Sequence, residues 1–152
     1  MQQTTLAIMV KSWKIFLWEK KRGFAKWILN WVWGKQEWNE SIDECMIREA
    51  KEEISIEIKK MQKVGILHFY FEGKKEYNQD VHLFFVEKWD GEIIETEEIR
   101  PFWFDLKNIP YEKMWKDDII WLPRILDWEK NIEYNFFFNF ENWNLEKWEK
   151  II

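Results

Sequence analysis

The chain contains little cysteine, proline or glycine, with 1, 3 and 5 residues of these types among 152. Because Cys45 has no second cysteine to pair with, an internal disulfide is excluded and the reducing cytoplasm is the expected compartment. No apolar run approaches the ~18 residues that cross a bilayer, and the N-terminal residues lack the pattern of a secretory signal. We therefore expect a cytoplasmic protein without a membrane partner.

Positive charge is also in deficit, with 23 Lys and Arg against 28 Asp and Glu and a net charge of −5. A chain of this charge gains no overall attraction to a nucleic acid polymer, so none is expected as a partner. Hydrophobic residues make up 47% of the chain, which excludes intrinsic disorder. The length suits a single domain over residues 1–152, and we expect a monomer.

Short apolar runs separated by turn residues predict strands around one clear helix. The predicted strands are residues 5–10, 14–18, 56–71, 81–86, 102–104 and 134–140. Residues 20–38 show neither strand nor helix periodicity and are interpreted as a long loop, whereas residues 114–128 are predicted to be helical with a kink or break at Pro123. The expected class is α/β or α+β, a sandwich around a mixed sheet.

The clearest helix is predicted from Ser41 to Ile54, where Ser41 and Glu44 have the spacing of a capping box. Glu49, Glu52 and Glu53 share one face of this helix and repel one another. Carboxylates so grouped are typical ligands of Mg²⁺ bound to substrate phosphates. The alternative for this motif alone is a solvated charged face beside nearby lysines.

The surrounding spacing resembles the Nudix box, G-x5-E-x7-R-E-U-x-E-E-x-G-U, where U is aliphatic. Gly34, Glu40 and Arg48 match its first fixed positions, Glu49, Glu52 and Glu53 match its acidic positions, and Ser55 replaces its last glycine. The resemblance extends over nearly the whole chain and is greatest to the Nudix hydrolases of oxidised purine nucleoside triphosphates. The segments that carry it are residues 20–24, 30, 34–35, the box, 80–82, 97–104 and 114–121.

This resemblance implies a Nudix α/β/α sandwich with a loop-helix-loop motif and a site for Mg²⁺, with Mn²⁺ as a possible substitute. The implied metal ligands are Glu49, Glu52, Glu53, Glu98 and the main-chain carbonyl of Trp33. Glu40 would pair with Arg48, and Gly34 would shape the loop. Glu53 or Glu98 would be the catalytic base, and the sequence does not choose between them. The implied reaction releases pyrophosphate and a nucleoside monophosphate, which removes damaged nucleotides before they enter DNA.

A base pocket is implied as well. Asp117 and Asp118 are adjacent, so repulsion and burial would keep one of them protonated and able to donate a hydrogen bond to a purine. By resemblance, the remaining substrate-binding residues are Thr5, Lys20, Phe24, Asn30, Phe69 and Trp115. The alternatives are core packing for the aromatic side chains and a helix N-terminal pair for the two aspartates.

Two departures bear on the substrate. Leu29 replaces a tryptophan of the resembled enzymes, and Asn78 or Gln79 stands near a position that is methionine there. Another nucleoside diphosphate derivative therefore stays open as the substrate. His82 is predicted to be structural. A Nudix-fold binding module without activity is the alternative if the tryptophans of the metal loop are genuine.

Tryptophan is in excess, with 13 residues against 5 glycines. Eight of the tryptophans align with glycines of the family pattern: Trp13, Trp18, Trp27, Trp31, Trp33, Trp38, Trp128 and Trp143. Our hypothesis is that the source organism reads UGA as glycine and that the printed sequence reads it as tryptophan. An indole at these positions would strain left-handed turns and crowd the metal loop. In the printed chain, we expect these indoles to point outward.

Overall fold

The computed structural model describes the whole chain, Met1–Ile152, with nine strands and two α-helices. The strands are β1 (Gln2–Lys11), β2 (Lys14–Lys20), β3 (Leu29–Asn30), β4 (Val32–Lys35), β5 (Glu57–Glu72), β6 (Gln79–Asp90), β7 (Ile99–Asp105), β8 (Ile132–Asn139) and β9 (Leu145–Lys150). The helices are α1 (Ile42–Ile54) and α2 (Asp118–Leu126), and short 3-10 turns cover Lys75–Tyr77 and Tyr111–Lys113.

The strands form one mixed sheet in the order β3-β2-β1-β6-β5-β8-β9, with β4 also paired to β1 and β7 to β2. The pairs β1–β6 and β5–β8 are parallel, whereas the other pairs are antiparallel. Besides β6, strand β1 pairs with β4 through residues 4–7 and with β2 through residues 10–11. The first half of β1 is therefore paired with β4 and its end with β2.

Alternation along β1 separates two hydrophobic cores. Leu6 and Ile8 belong to the core that contains Trp121 of α2, whereas Ala7 and Met9 belong to the core that contains Met46 of α1. Successive strand side chains point to opposite faces of a sheet, so the two helices cover opposite faces. The α+β class and the layered sandwich with a mixed sheet are thereby confirmed.

The predicted helix at the acidic motif is confirmed, and both of its ends are capped. The Ser41 hydroxyl accepts from the Glu44 N–H and the Glu44 carboxylate accepts from the Ser41 N–H, which is a complete capping box. Ser55 ends the helix in the left-handed conformation, with φ of 58°. The serine that replaces the last glycine of the motif therefore adopts the conformation for which glycine is usually chosen.

Two predictions of secondary structure are wrong, and one strand was not predicted. Residues 20–38 are not one long loop, because they contain β3 and β4, which are too short to produce a sequence period. The last strand, β9, was not predicted because it is an exposed, highly charged edge strand. The late helix spans only Asp118–Leu126, and Pro123 lies inside it without splitting it.

Two tryptophans occupy turn positions that favour glycine. Ser12 and Trp13 form the two-residue turn between β1 and β2 with φ of 51° and 62°, the pattern of a type I′ turn. Trp128 follows α2 with φ of 66°, and its N–H donates to the Ile125 carbonyl. Because the next N–H, of Glu129, donates to the Arg124 carbonyl, the two bonds form a Schellman motif with Trp128 at its glycine position.

His68 joins three strands through its ring nitrogens, at 2.6 Å from a carboxylate oxygen of Asp80 and 2.6 Å from one of Glu133. Burial by itself would lower the pKa of His68, but the hydrogen bonds to both carboxylates outweigh it and raise the pKa above 6.5. His82 lies in β6, as predicted, with Nε2 at 2.7 Å from the Gln3 side-chain oxygen.

Replacement of Trp13 by glycine should raise the free energy of unfolding by about 1 kcal/mol, because glycine relieves the left-handed strain. Little buried area is lost, since Trp13 is 81% exposed. Urea denaturation measures the change. Trp148→Gly is the control because Trp148 lies within strand β9, where glycine should lower stability. A Trp13→Gly protein less stable than the parent would contradict the expected strain.

Protonation of His68 should stabilise the fold, because its pKa is higher in the folded chain than in the unfolded chain. This contribution is complete below about pH 6.5 and is lost as the pH rises through the folded-state pKa. His68→Gln removes it, so the difference in unfolding free energy between parent and variant should shrink as the pH rises above about 6.5 and through the folded-state pKa. Chemical denaturation across this range measures the difference, and a constant difference would contradict the prediction.

Candidate active site

A cleft of about 470 Å³ collects the carboxylates of the acidic motif. Glu49, Glu52 and Glu53 reach it from α1, and Glu98 reaches it from the loop between β6 and β7. The lining residues are Trp18, Lys20, Arg22, Glu49, Glu52, Glu53, Thr96, Glu98 and Ile99. The structure thus brings together the four glutamates that the sequence assigned to one metal site.

Sequence reasoning did not assign Trp18, Arg22, Thr96 and Ile99 to this cleft. Alternation along β2 could have indicated Trp18, because it lies two residues before Lys20 and so on the same face of the strand. No comparable signal pointed to Thr96 or Ile99, which lie in and just after a loop.

Arg48 connects the loop before α1 with the helix. Its Nε donates to Glu40 Oε1 at 2.6 Å and its Nη2 to Glu40 Oε2 at 3.1 Å, a bidentate pair. Nη2 also donates to the Lys35 carbonyl at 3.1 Å. Nη1 donates to Glu49 at 2.8 Å and to Glu52 at 3.1 Å. One guanidinium therefore fixes the loop and holds two of the cleft carboxylates.

Gly34 allows the backbone of β4 to lie against Glu49. A Cβ at this position would be 2.0 Å from Glu49 Cδ, so any side chain would displace the carboxylate. Thr5 of β1 lies opposite Gly34 and is fully buried, with Oγ1 donating to the Gly34 carbonyl at 3.5 Å. The structure thus places Thr5 beside β4, where it bonds to Gly34 and Cys45, and it forms no hydrogen bond with Asp117 or Asp118.

Burial and the negative charge of Glu49 raise the pKa of Glu53 to about 8, although the Trp33 backbone amide and Lys20 counteract them. A carboxyl group in this environment holds a proton near neutral pH. A bound cation would reverse this preference and favour the ionised form. Glu53 is therefore suited to accept a proton or to ligate a cation.

The oxygen donors in the cleft fit a hard divalent cation in their chemistry. In their present conformations, no three His, Cys, Asp or Glu side chains are close enough to hold a metal ion. The carboxylates of Glu49 and Glu52 are instead paired with the Arg48 guanidinium.

The two adjacent aspartates predicted to bind a base are not among the residues that line the cleft. Asp117 and Asp118 are buried, at 3% and 1% exposure. Burial raises the pKa of both carboxyl groups, and the negative charge of Asp117 raises that of Asp118 further. Asp117 accepts from the Trp121 indole at 2.8 Å, whereas Asp118 Oδ2 has no hydrogen-bond partner.

The other residues predicted to bind a base make separate contacts. Trp115 Nε1 donates to the Asn30 side-chain oxygen at 2.9 Å. Phe24 is 63% exposed, and Phe69 packs edge-on against Phe136 and Phe138. Lys20 lies in the carboxylate cleft, where its Nζ donates to the Phe24 carbonyl at 3.5 Å. The structure therefore links Asn30 with Trp115, whereas Phe69 belongs to the aromatic packing around Phe136 and Phe138.

The expectation that all eight questioned indoles point outward is wrong. Five are exposed: Trp13, Trp27, Trp33, Trp38 and Trp128. Trp18 and Trp31 are 6% and 3% exposed because they pack in the hydrophobic cores. Their N–H groups are satisfied there, since Trp18 Nε1 donates to the Trp31 carbonyl and Trp31 Nε1 donates to Asp118. Trp143 packs between Phe24 and Trp115, with ring centroids 5.4 and 5.7 Å away.

Relatives with known names share much of this sequence. The chain is 37% identical over 130 residues to a zebrafish (Danio rerio) protein named oxidized purine nucleoside triphosphate hydrolase, covering 86% of this chain and 83% of the relative. It is 36% identical over 126 residues to the mouse (Mus musculus) protein of the same name, covering 83% and 80%.

The fold resembles the crystal structure of the MutT protein from Bacillus halodurans, with a TM-score of 0.87 at 23% identity, covering 99% of this chain and 98% of the other. The model of the NUDIX domain family matches residues 2–125, a region that contains the capped helix, its carboxylates and the aspartate pair. Because this match covers most of the chain, the protein belongs to the Nudix family.

Proposed function

We propose that the protein hydrolyses oxidised purine nucleoside triphosphates, such as 8-oxo-dGTP, to the monophosphate and pyrophosphate with Mg²⁺. The observation that carries this proposal is the convergence of Glu49, Glu52, Glu53 and Glu98 in one cleft with Lys20 and Arg22. The names of the zebrafish and mouse relatives support the substrate class.

The charges of the cleft favour a cation-assisted reaction. Four carboxylates and two basic side chains line it, so a polyphosphate would be repelled unless a cation intervened. Glu49, Glu52, Glu53, Glu98 and the Trp33 carbonyl are the proposed ligands of Mg²⁺, and Mn²⁺ could replace it. When bound, the metal would neutralise phosphate charge and acidify the attacking water. Lys20 and Arg22 would orient the phosphates.

Glu53 is the better candidate for the base. Without metal its pKa is about 8, and a bound cation would lower this value so that the ionised form, which accepts a proton, is present at neutral pH. Glu98 comes from a loop and would complete the ligand set. The Glu40–Arg48 pair would keep the loop and α1 in register.

We also propose a single-domain, monomeric, cytoplasmic enzyme over residues 1–152. Removal of oxidised nucleotides from the pool would protect DNA from damage, and the partner would be the nucleotide alone, with no nucleic acid polymer. Neither helix is long and apolar enough to cross a membrane.

A second candidate function is a Nudix-fold binding module without hydrolytic activity. The observation that favours it is the buried Trp31, whose indole N–H donates to the Asp118 carboxyl group in the printed chain. This candidate applies if the questioned tryptophans are genuine.

We further propose that these eight residues are glycine in the native protein. Trp13, Trp128 and Trp143 have φ of 62°, 66° and 59°, a region where glycine is favoured. The other five have no left-handed φ, and there the support comes from the composition and the family pattern. Below, "the glycine chain" means the protein with glycine at all eight positions.

The gene tests this proposal directly. We expect UGA codons at the eight questioned positions and UGG at Trp89, Trp103, Trp115, Trp121 and Trp148. Mass spectrometry of the protein from its source should then show glycine at the UGA positions. UGG at all thirteen positions would contradict it.

In the glycine chain, Glu53→Gln should lower kcat by about 100-fold or more, because an amide neither accepts a proton nor ligates Mg²⁺ well. Thermal stability at neutral pH should not fall, since burial already disfavours the ionised form of Glu53. The measurement is pyrophosphate release from 8-oxo-dGTP. Glu57→Gln is the control, since Glu57 is exposed and outside the cleft. Equal rates for the two variants would contradict the assignment.

A further inference from the structure

We propose that residue 31, assisted by residue 143, determines whether a purine can enter the base pocket: the indoles of Trp31 and Trp143 fill the space, and glycine at both positions opens it. This inference rests on the proposed function, which places a purine beside Asn30, Asp117 and Asp118. It adds that two residues outside that set control binding.

Trp31 takes the place of a base through its shape and its hydrogen bond. Indole and purine are both fused bicyclic aromatic rings with an N–H donor. The Trp31 indole is 3% exposed, and its Nε1 donates to Asp118 Oδ1 at 3.2 Å. Its ring lies 5.6 Å from that of Trp121, so it is packed as well as hydrogen-bonded. A ligand that donates to Asp118 Oδ1 would have to replace this indole N–H.

The indole of Trp31 satisfies only part of the Asp118 carboxyl group. Asp118 Oδ2 is buried without a hydrogen-bond partner, and a polar atom left in this state costs free energy. The single indole N–H satisfies only Oδ1. An oxidised purine offers several donors and acceptors along one edge, so it could satisfy both oxygens of a carboxyl group.

Trp143 packs against two of the aromatic residues predicted to bind the base. Its ring lies 5.4 Å from Phe24, 5.7 Å from Trp115 and 6.0 Å from Phe71, and its φ of 59° is left-handed. Phe24 and Trp115 are two of the three aromatic residues predicted to bind the base, the third being Phe69. The Trp115 indole is in turn directed at Asn30, the third polar group of the pocket. Both indoles therefore lie against the groups that would contact a purine.

The test measures binding of 8-oxo-dGMP by calorimetry without metal, which separates base recognition from hydrolysis. The double variant Trp31→Gly, Trp143→Gly should bind at least about tenfold more tightly than the printed chain. The matched control is Trp13→Gly, Trp128→Gly, which also makes two changes but at exposed turns, and its affinity should equal that of the printed chain. Adding Asp118→Asn to the opened variant should weaken binding.

Loss of a buried indole could unfold the double variant, so circular dichroism accompanies each titration. A second comparison starts from the glycine chain, in which tryptophan is restored at position 31 alone. We expect this restoration to remove binding of 8-oxo-dGMP. Equal affinity with either residue at position 31, in folded proteins, would overturn the inference.

The two proposals fail in different ways. A glycine chain that binds 8-oxo-dGMP but hydrolyses no triphosphate would refute the proposed reaction and leave the role of residue 31 intact. A glycine chain that hydrolyses 8-oxo-dGTP at the same rate and KM after tryptophan is restored at position 31 would leave the reaction intact and refute that role.

Discussion

The crowding of acidic side chains along α1 is the constraint on which the site depends. Glu49, Glu52 and Glu53 share one face of the helix, where like charges repel. Arg48 bonds to Glu49 and Glu52, whereas burial and then the negative charge of Glu49 raise the pKa of Glu53 to about 8. Four glutamates and only two basic side chains line the cleft, so a divalent cation would balance its negative charge.

The sheet brings the two halves of the site together. Lys20 of β2 lies at the carboxylate cleft, and Asn30 of β3 lies near the aspartate pair, although only ten residues separate them in sequence. Gly34 of β4 then contacts Glu49 of α1. Strands, rather than a long loop, hold these residues, and a site on paired strands keeps its geometry better than one on a free loop.

Local signals predicted the parts that depend on neighbouring residues. The capping box and the carboxylate face of α1 follow from spacing within a single helix. Glu98 and Asp118 could be assigned only by resemblance, because their positions depend on strand pairing far along the chain. The short strands β3 and β4 left no period to detect. The burial of Trp31 could not be predicted either, since it depends on rings and acids from several elements.

The account depends most on the binding of a divalent cation by the carboxylates of α1. The direct measurement is the titration of the glycine chain with Mn²⁺, followed by electron paramagnetic resonance, alongside a variant in which Glu49, Glu52 and Glu53 are glutamine. We expect saturable binding that Mg²⁺ displaces and that the triple variant loses while it remains folded. Unchanged Mn²⁺ affinity in the triple variant would contradict the account.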